Sequence, residues 1–306
     1  TFIADLAVAT SAGQIKTVSV NTSGNQIPDP PMPEEISFDA ASSAQADDVS
    51  SLDFNHTVTS EDNRVLIVAF SLRNYGSSDL TPGVSSVTYG GQALTRIAQK
   101  SHTTSVYKMT SELWYVLAPA SGTNTIQVNF GRIVEGITAG SVSLYGVKQQ
   151  APEAIASASN YSKNAATSLT TLSAGAWVIS SLAEHYSSST VTADAGQTEF
   201  YRQVNSGDNF GAGSYKGVPT AGNTSVGWAF NLNRYWAQVS AAFAPADGRT
   251  AWLKDPQESE EQMQLVYNGA DTKTLLSKAK TVVQELGRMV LEVFLGTPVY
   301  ADTVPH

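Results

Sequence analysis

Apolar and polar positions alternate along most of this chain in short runs. Between Glu35 and Pro245 the runs are strand-length: LDFNHTV (52–58), RVLIVAFSL (64–72), ELWYVLA (112–118), TNTIQVNF (123–130), AGSVSLYGV (139–147), AWVISSLA (176–183), TSVGWAFN (224–231) and YWAQVSAAF (235–243). Turn residues separate them around Pro119–Gly122, Gly131, Gly175, Ser206–Gly207 and Gly222–Asn223. The run at 64–72 predicts a central strand buried on both faces. Inside VTYGGQALTRI (87–97), Gly90–Gly91 predicts a two-residue hairpin turn, because such turns need positive φ at the central positions. The whole predicts a mainly β fold, a two-sheet jelly-roll-like β-sandwich over residues 36–246. Two smaller sandwiches meeting near Lys148–Pro152 are the alternative, but no proline- or charge-rich linker stands there.

The flanks carry other patterns. Residues 1–27 read as a strand arm: Phe2, Ala4, Leu6 and Val8 share one parity with Val18 and Val20, Ser11–Gly13 interrupts them, and Ile15 adds a further apolar position. An apolar face that small is not buried by the arm itself, so it must pair with something. Residues 28–35 hold Pro28, Pro30, Pro31 and Pro33, which favour an extended, semi-rigid spacer reaching roughly 25 Å. In the tail, 247–306, an acidic cluster (Glu258, Glu260, Glu261) precedes an amphipathic helix predicted over 271–295. Asp271 caps it and Gly296 and Pro298 stop it. Its stripe of Leu276, Ala279, Val283, Leu286, Val290 and Val293 suits docking on the sandwich or on a neighbouring subunit.

Composition narrows the function classes. Charged residues are 15% of the chain, against about a quarter in ordinary domains, and Ser, Thr, Asn and Gly replace them. The net charge of −9 and pI near 4.9 leave no basic stripe for nucleic acid or an anionic membrane surface. With no cysteine, thiolate metal sites, disulfides and cysteine nucleophiles are excluded. No run of 18 apolar residues predicts a membrane-spanning helix. The chain starts at Thr1 without Met, which is read as the mark of a removed signal peptide and hence of secretion.

The segments VTYGGQALT (87–95), ELWY (112–115), PASGT (119–123), IQVNF (126–130), AGSVSLYGV (139–147) and YWAQVSAAFAPA resemble a module of secreted bacterial and archaeal surface and filament proteins. The resemblance covers roughly residues 36–246. It implies an extracellular jelly-roll-like β module used in adhesins, surface layers and filaments, and it carries no catalytic residue. The arm and the tail lie outside it.

Side chains that carry chemistry are sparse. His56, His102, His185 and His306 form no HExxH or HxH pattern. His185, beside Glu184 and before serines, is the best isolated candidate, yet no nucleophile elbow accompanies it. Glu112 and Glu184 are candidates for a pair of carboxylates across a groove, as in glycosidases. Asp47–Asp48, Asp194 and Asp208–Asn209 lie in turn-rich stretches and make calcium a candidate ion, although no DxDxDG-like run is present. Tyr186, Tyr201, Phe210, Tyr215 and Tyr235 are candidates for a sugar-stacking platform. Asn21, Asn55, Asn160 and Asn223 open N-x-S/T sequons.

Two functions are expected from these readings. The first is a non-enzymatic, secreted subunit of a pilus-like cell-surface filament, with no catalytic, cofactor or metal residues. It would polymerise with copies of itself by inserting the arm, through Phe2, Leu6, Val8, Ile15, Val18 and Val20, into a neighbour's sheet. The second is a glycan-binding or adhesive module of a larger cell-surface or phage-tail protein.

Overall fold

The structure, a computed structural model of the chain, describes residues 3–9, 15–21, 35–75, 83–185, 190–205 and 209–246, the first two stretches as backbone. It is mainly β, and the described residues contain no α-helix. The helix predicted over 271–295, with Leu276, Val283, Leu286, Val290 and Val293, lies outside the described residues, as does Phe2.

Near the N-terminus, β1 (Ile3–Ala9) and β2 (Ile15–Asn21) pair antiparallel as a two-stranded sheet of their own. The register sets Leu6 opposite Val18 and Ala4 opposite Val20, so the parity read from the sequence brings even positions of both strands together. Val8 faces Lys16, and Ile15 faces Ala9. This hairpin belongs to a unit separate from residues 32–248.

Residues 32–248 hold two antiparallel sheets, each built from one continuous half of the chain. The first half comprises β3 (Ser37–Val58), β4 (Val65–Tyr75), β5 (Ser86–Tyr89), β6 (Gln92–Ala93), β7 (Thr95–Thr103), β8 (Tyr107–Leu117) and β9 (Gly122–Tyr145). The second comprises β10 (Ala154–Thr171), β11 (Ala176–His185), β12 (Val191–Ala193), β13 (Thr198–Val204), β14 (Asn209–Val218) and β15 (Gly222–Phe243). Across the first sheet the strands run β3-β9-β4-β8-β7, with β5 and β6 on the far part of β9; across the second they run β10-β15-β11-β14-β13, with β12 on the far part of β15. The two orders are the same.

This corrects the jelly-roll wiring, in which the chain passes repeatedly between sheets. Here it passes once, through residues 146–153, and the divide falls where the two-sandwich alternative placed it. Regular spacing of apolar runs reports strands, not their partners. The partners follow from the long strands: β9 pairs β3 along most of its length while meeting β5 through 126–129 and β4 through 136–144. Gly131, with φ of 71°, sits between those two stretches, where a turn was expected and the strand bends instead.

Packing between the halves repeats the symmetry. β8 lies on β11 and β4 on β14; β7 lies on β15 and β9 on β13; β7 lies on β10 and β3 on β13. Each of these contacts has a mate under exchange of the halves, the mark of a self-complementary, two-fold interface formed within one chain.

Parity explains why the central strands are buried on both faces. In β4, Leu66, Val68, Phe70 and Leu72 join a core inside the first half with Val87, Tyr89, Trp114 and Ile126. Val65, Ile67 and Ala69 point the other way, into a shared core with Ile179, Tyr201, Val239, Ala241 and Phe243. In β11, Val178 and Leu182 face cores of the second half, while Ile179 faces the shared one. Each large side chain so buried stabilises by about 1.5–3 kcal/mol. The sheets approach closely where glycine allows it: a Cβ at Gly140 would overlap the Tyr201 ring, and one at Gly211 the Thr138 hydroxyl. The predicted hairpin turn is present between β5 and β6, with Gly90 at φ 53° and Gly91 at φ 86° closed by the Tyr89–Gln92 pair.

Candidate functional site

The two carboxylates expected to face one another do not. The halves meet through odd positions of β8 and β11, such as Leu113 and Ile179. Glu112 and Glu184 are at even positions, so each turns into the interior of its own half. Glu112 is fully buried. Its Oε1 accepts from the Val84 N–H (3.0 Å) and Gln99 Nε2 (3.1 Å), its Oε2 accepts from Trp114 Nε1 (2.8 Å), and Arg96 lies 3.9 Å away. Burial pushes its pKa above the usual carboxylate value, against the downward pull of those donors and of Arg96. Glu184, also buried, lies 3.5 Å from Arg234 Nε in the second half.

His185 ends β11, buried, with its ring edge-on to Tyr75 at 6.2 Å between centroids. The serines that follow it lie outside the described residues, as does Tyr186. The remaining aromatics do not form the expected platform. Tyr201 and Phe210 are core residues. Tyr215 stacks on Trp177 at 4.8 Å and on Phe38 at 5.8 Å, while Tyr235 packs against Tyr161 at 4.3 Å and His102 at 5.1 Å. The acidic turns do not converge either: among the described residues no three His, Asp or Glu side chains are grouped to hold a metal ion, and Asp208 lies outside them. Of the sequon asparagines, Asn55, Asn160 and Asn223 are exposed on strands, and Asn21 ends β2.

Sequence reading missed the most ordered polar cluster in the first half. His56, 1% exposed, is reached by serines on both ring nitrogens: Ser143 Oγ is 3.0 Å from Nε2, and Ser141 Oγ is 2.9 Å from Nδ1, with Ser42 Oγ at 3.2 Å. Ser143 donates its only proton to Asp39 Oδ2 at 2.7 Å. Nε2 must therefore carry the proton it shares with Ser143, and Nδ1 is left to accept from Ser141 or Ser42, Ser141 also lying 3.4 Å from the Ser42 carbonyl. Burial holds the His56 pKa down at about 4, although nearby Asp39 pulls it up. A serine donating to imidazole is half of a nucleophilic arrangement. Here, however, the acid bonds the serine rather than the ring, and Ser141 and Ser143 are fully buried, so no substrate reaches them. The network instead fastens both ends of the curled β3 onto β9. Its trace in the sequence is a histidine at the inward parity of Phe54 and Val58, with serines alternating along AGSVSLYGV.

The second missed feature lies at the ends of β4 and β11. Arg73 is 2% exposed, its guanidinium 4.1 Å over the Tyr75 ring. Neither Nε nor Nη1 meets an acceptor among the described residues. Tyr75 and Tyr161, at 44% and 49% exposure, are the open rings of this end, where Tyr75 meets His185 and Tyr161 leads through Tyr235 to His102.

No model of a known protein family matches the chain, and a search of curated proteins likewise finds no match.

Proposed function

We propose that this protein is a structural subunit of an extracellular, pilus-like filament that grows head-to-tail by strand addition through its N-terminal arm. The observation that carries this reading is that β1 and β2 pair with each other as a two-stranded sheet of their own. A two-stranded hairpin alone is marginal in water; added to the edge of another sheet, it gains backbone hydrogen bonds and covers apolar surface. The proline-rich residues 28–33 favour reach over a tight return. A contact of arm to a different surface does not close on itself, so its product is a fibre. The resemblance to secreted surface and filament proteins agrees with this reading and with a cell-surface location. Deleting residues 1–27 abolishes fibres in negative-stain electron micrographs while the circular dichroism of the β-sandwich stays. Unchanged fibres would sink the proposal.

A second reading, adhesion to surface glycans, is favoured by the end that holds Arg73, Tyr75, Tyr161 and His102. Open rings stack on sugars, and Tyr75 and Tyr161 are open here, while buried Arg73 holds the Tyr75 ring from beneath. This reading moves the expected platform from Tyr201 and Phe210, which are buried, to Tyr75 and Tyr161. Glycan-array binding that survives Tyr75→Ala with Tyr161→Ala counts against it.

A further inference from the structure

Among the described residues six strands stand at sheet edges: β6 and β12, with 2 and 3 residues, and four longer ones, β3 and β7 in the first half and β10 and β13 in the second. An open edge presents unpaired backbone groups to any passing strand, and proteins guard edges with charge, bulges, shortness or cover. The two short edges are guarded by their shortness, and three of the four longer ones by several charges each. β3 carries Asp39, Asp47, Asp48 and Asp53, two bulges, and a cover from the other sheet, where Asn205 Nδ2 donates to the Ala46 carbonyl and Gln203 Nε2 to Ser43 Oγ. β7 carries Arg96 and Lys100 and a bulge. β13 has 7 residues, with Glu199, Arg202 and a bulge.

The fourth is bare. β10 runs for 18 residues, AIASASNYSKNAATSLTT, with Lys163 at its bulge as the one charged side chain. Its inner side is paired to β15 along both stretches, 154–162 and 164–171. Among the described residues, no group of the first half bonds its backbone. Ile155 and Tyr161 stand half-exposed along it. β3, the strand in the same place in the first sheet, carries four aspartates, so the near-neutrality of β10 is not imposed by topology.

We infer that β10 is the edge that receives the arm, and that its occupant is the β1–β2 hairpin of a second copy of this chain. The inference rests on the filament reading above and names the receiving surface. The hairpin matches the edge in length and charge. Strands of 7 residues span about 23 Å, and β10 about 60 Å, so either stretch of β10 accommodates one. The strands carry Asp5 and Lys16 as their charges and are otherwise neutral, which lets them approach a neutral edge without repulsion. Sheet two would then continue outward through the neighbour's two strands.

Amide hydrogen exchange on the full chain, dilute against assembled, tests this. Amides of β10 slow by at least about tenfold on assembly, while those of β3, β7 and β13 keep their rates. In parallel, Ser157→Lys, Ala166→Lys and Ser168→Lys together put charge on exposed positions of β10 and raise the assembly threshold at least about tenfold. Gln45→Lys with Ser50→Lys on β3 leaves it in place. Such surface changes alter stability by only about 0.5 kcal/mol each, so the variants remain folded. Fibres that form with β10 unprotected, or a lysine-bearing β10 that assembles as before, overturn the inference and leave the filament reading standing. A chain that stays monomeric at every concentration overturns both.

Discussion

The two halves of the sandwich, 37–145 and 154–243, share one strand order and differ in what they enclose. The second half fills its interiors with Leu182, Phe210, Trp228, Trp236 and a chain of hydroxyls and amides, in which Thr167 meets Ser240 at 2.5 Å, Gln238 donates to Thr167, and Ser180 meets Ser214. Both halves bury an acid, Glu112 near Arg96 in the first and Glu184 near Arg234 in the second, but the first also buries the neutral His56 among serines. Opposite Leu182 the second half places Ala212; opposite Phe70 the first half places Glu112. The same wiring thus accepts either filling. Topology is set by the long strands and the shared core, while the interior of each curl varies, most of its polar groups finding partners.

The largest effect comes from asking whether the halves stand or fall together. Trp228→Ala in the second half and Phe70→Ala in the first each cost about 3–5 kcal/mol. Because Ile67, Ile179 and Val239 bind the halves through one core, denaturant unfolding of either variant keeps a single transition. Two resolved transitions would break the pairing and make the halves independent folding units.

A smaller effect separates the halves by pH. The fold keeps His56 neutral down to about pH 4, whereas an unfolded imidazole protonates near 6.5. Its contribution is complete above pH 6.5 and is lost as pH falls toward 4, in total about 3 kcal/mol. Glu112 acts in the opposite sense, since a raised carboxyl pKa favours the fold as pH drops. Comparing the parent with His56→Ala by thermal melts isolates the histidine: the variant is less stable at pH 7 and its stability falls less between pH 6.5 and 4. An unchanged pH slope refutes the assignment. Least of the three, Glu112→Gln costs about 1–3 kcal/mol, because one amide oxygen cannot serve Val84, Gln99 and Trp114 together. A neutral outcome in chemical denaturation would show that the charge itself was the burden.

Much of the strand content was legible, and the reason is local. RVLIVAFSL needs both faces buried wherever it goes, and Gly90–Gly91 fixes its turn without help from the rest of the chain. Merged strands were not legible: TNTIQVNF and AGSVSLYGV read as two elements, yet they are one strand bent at Gly131. β10 escaped notice because ASASNYSKNAATS offers little apolar contrast and becomes a strand only through its partner β15. The site was harder still. Parity tells which way Glu112 points but not what stands opposite, and His56 meets Ser141 and Ser143 only after 85 and 87 residues of intervening chain have folded. The shared strand order of the two halves was not legible either, because it lies in which strands pair and not in any repeated run of residues.

The single crossing at 146–153 also sets a timetable. A chain that emerges from its N-terminus presents all of β3 to β9 before β10 exists, and β3 and β9, the first and last of these, pair and close the first sheet. At about 5–20 residues per second, the roughly ninety residues of the second half follow over some 5–20 s. For that interval Val65, Ile67, Leu113, Val142 and Leu144 have no cover. A first half that folds on emergence is a template with one sticky face, and whatever guards that face during synthesis decides whether it waits for its own second half or is captured by another chain's.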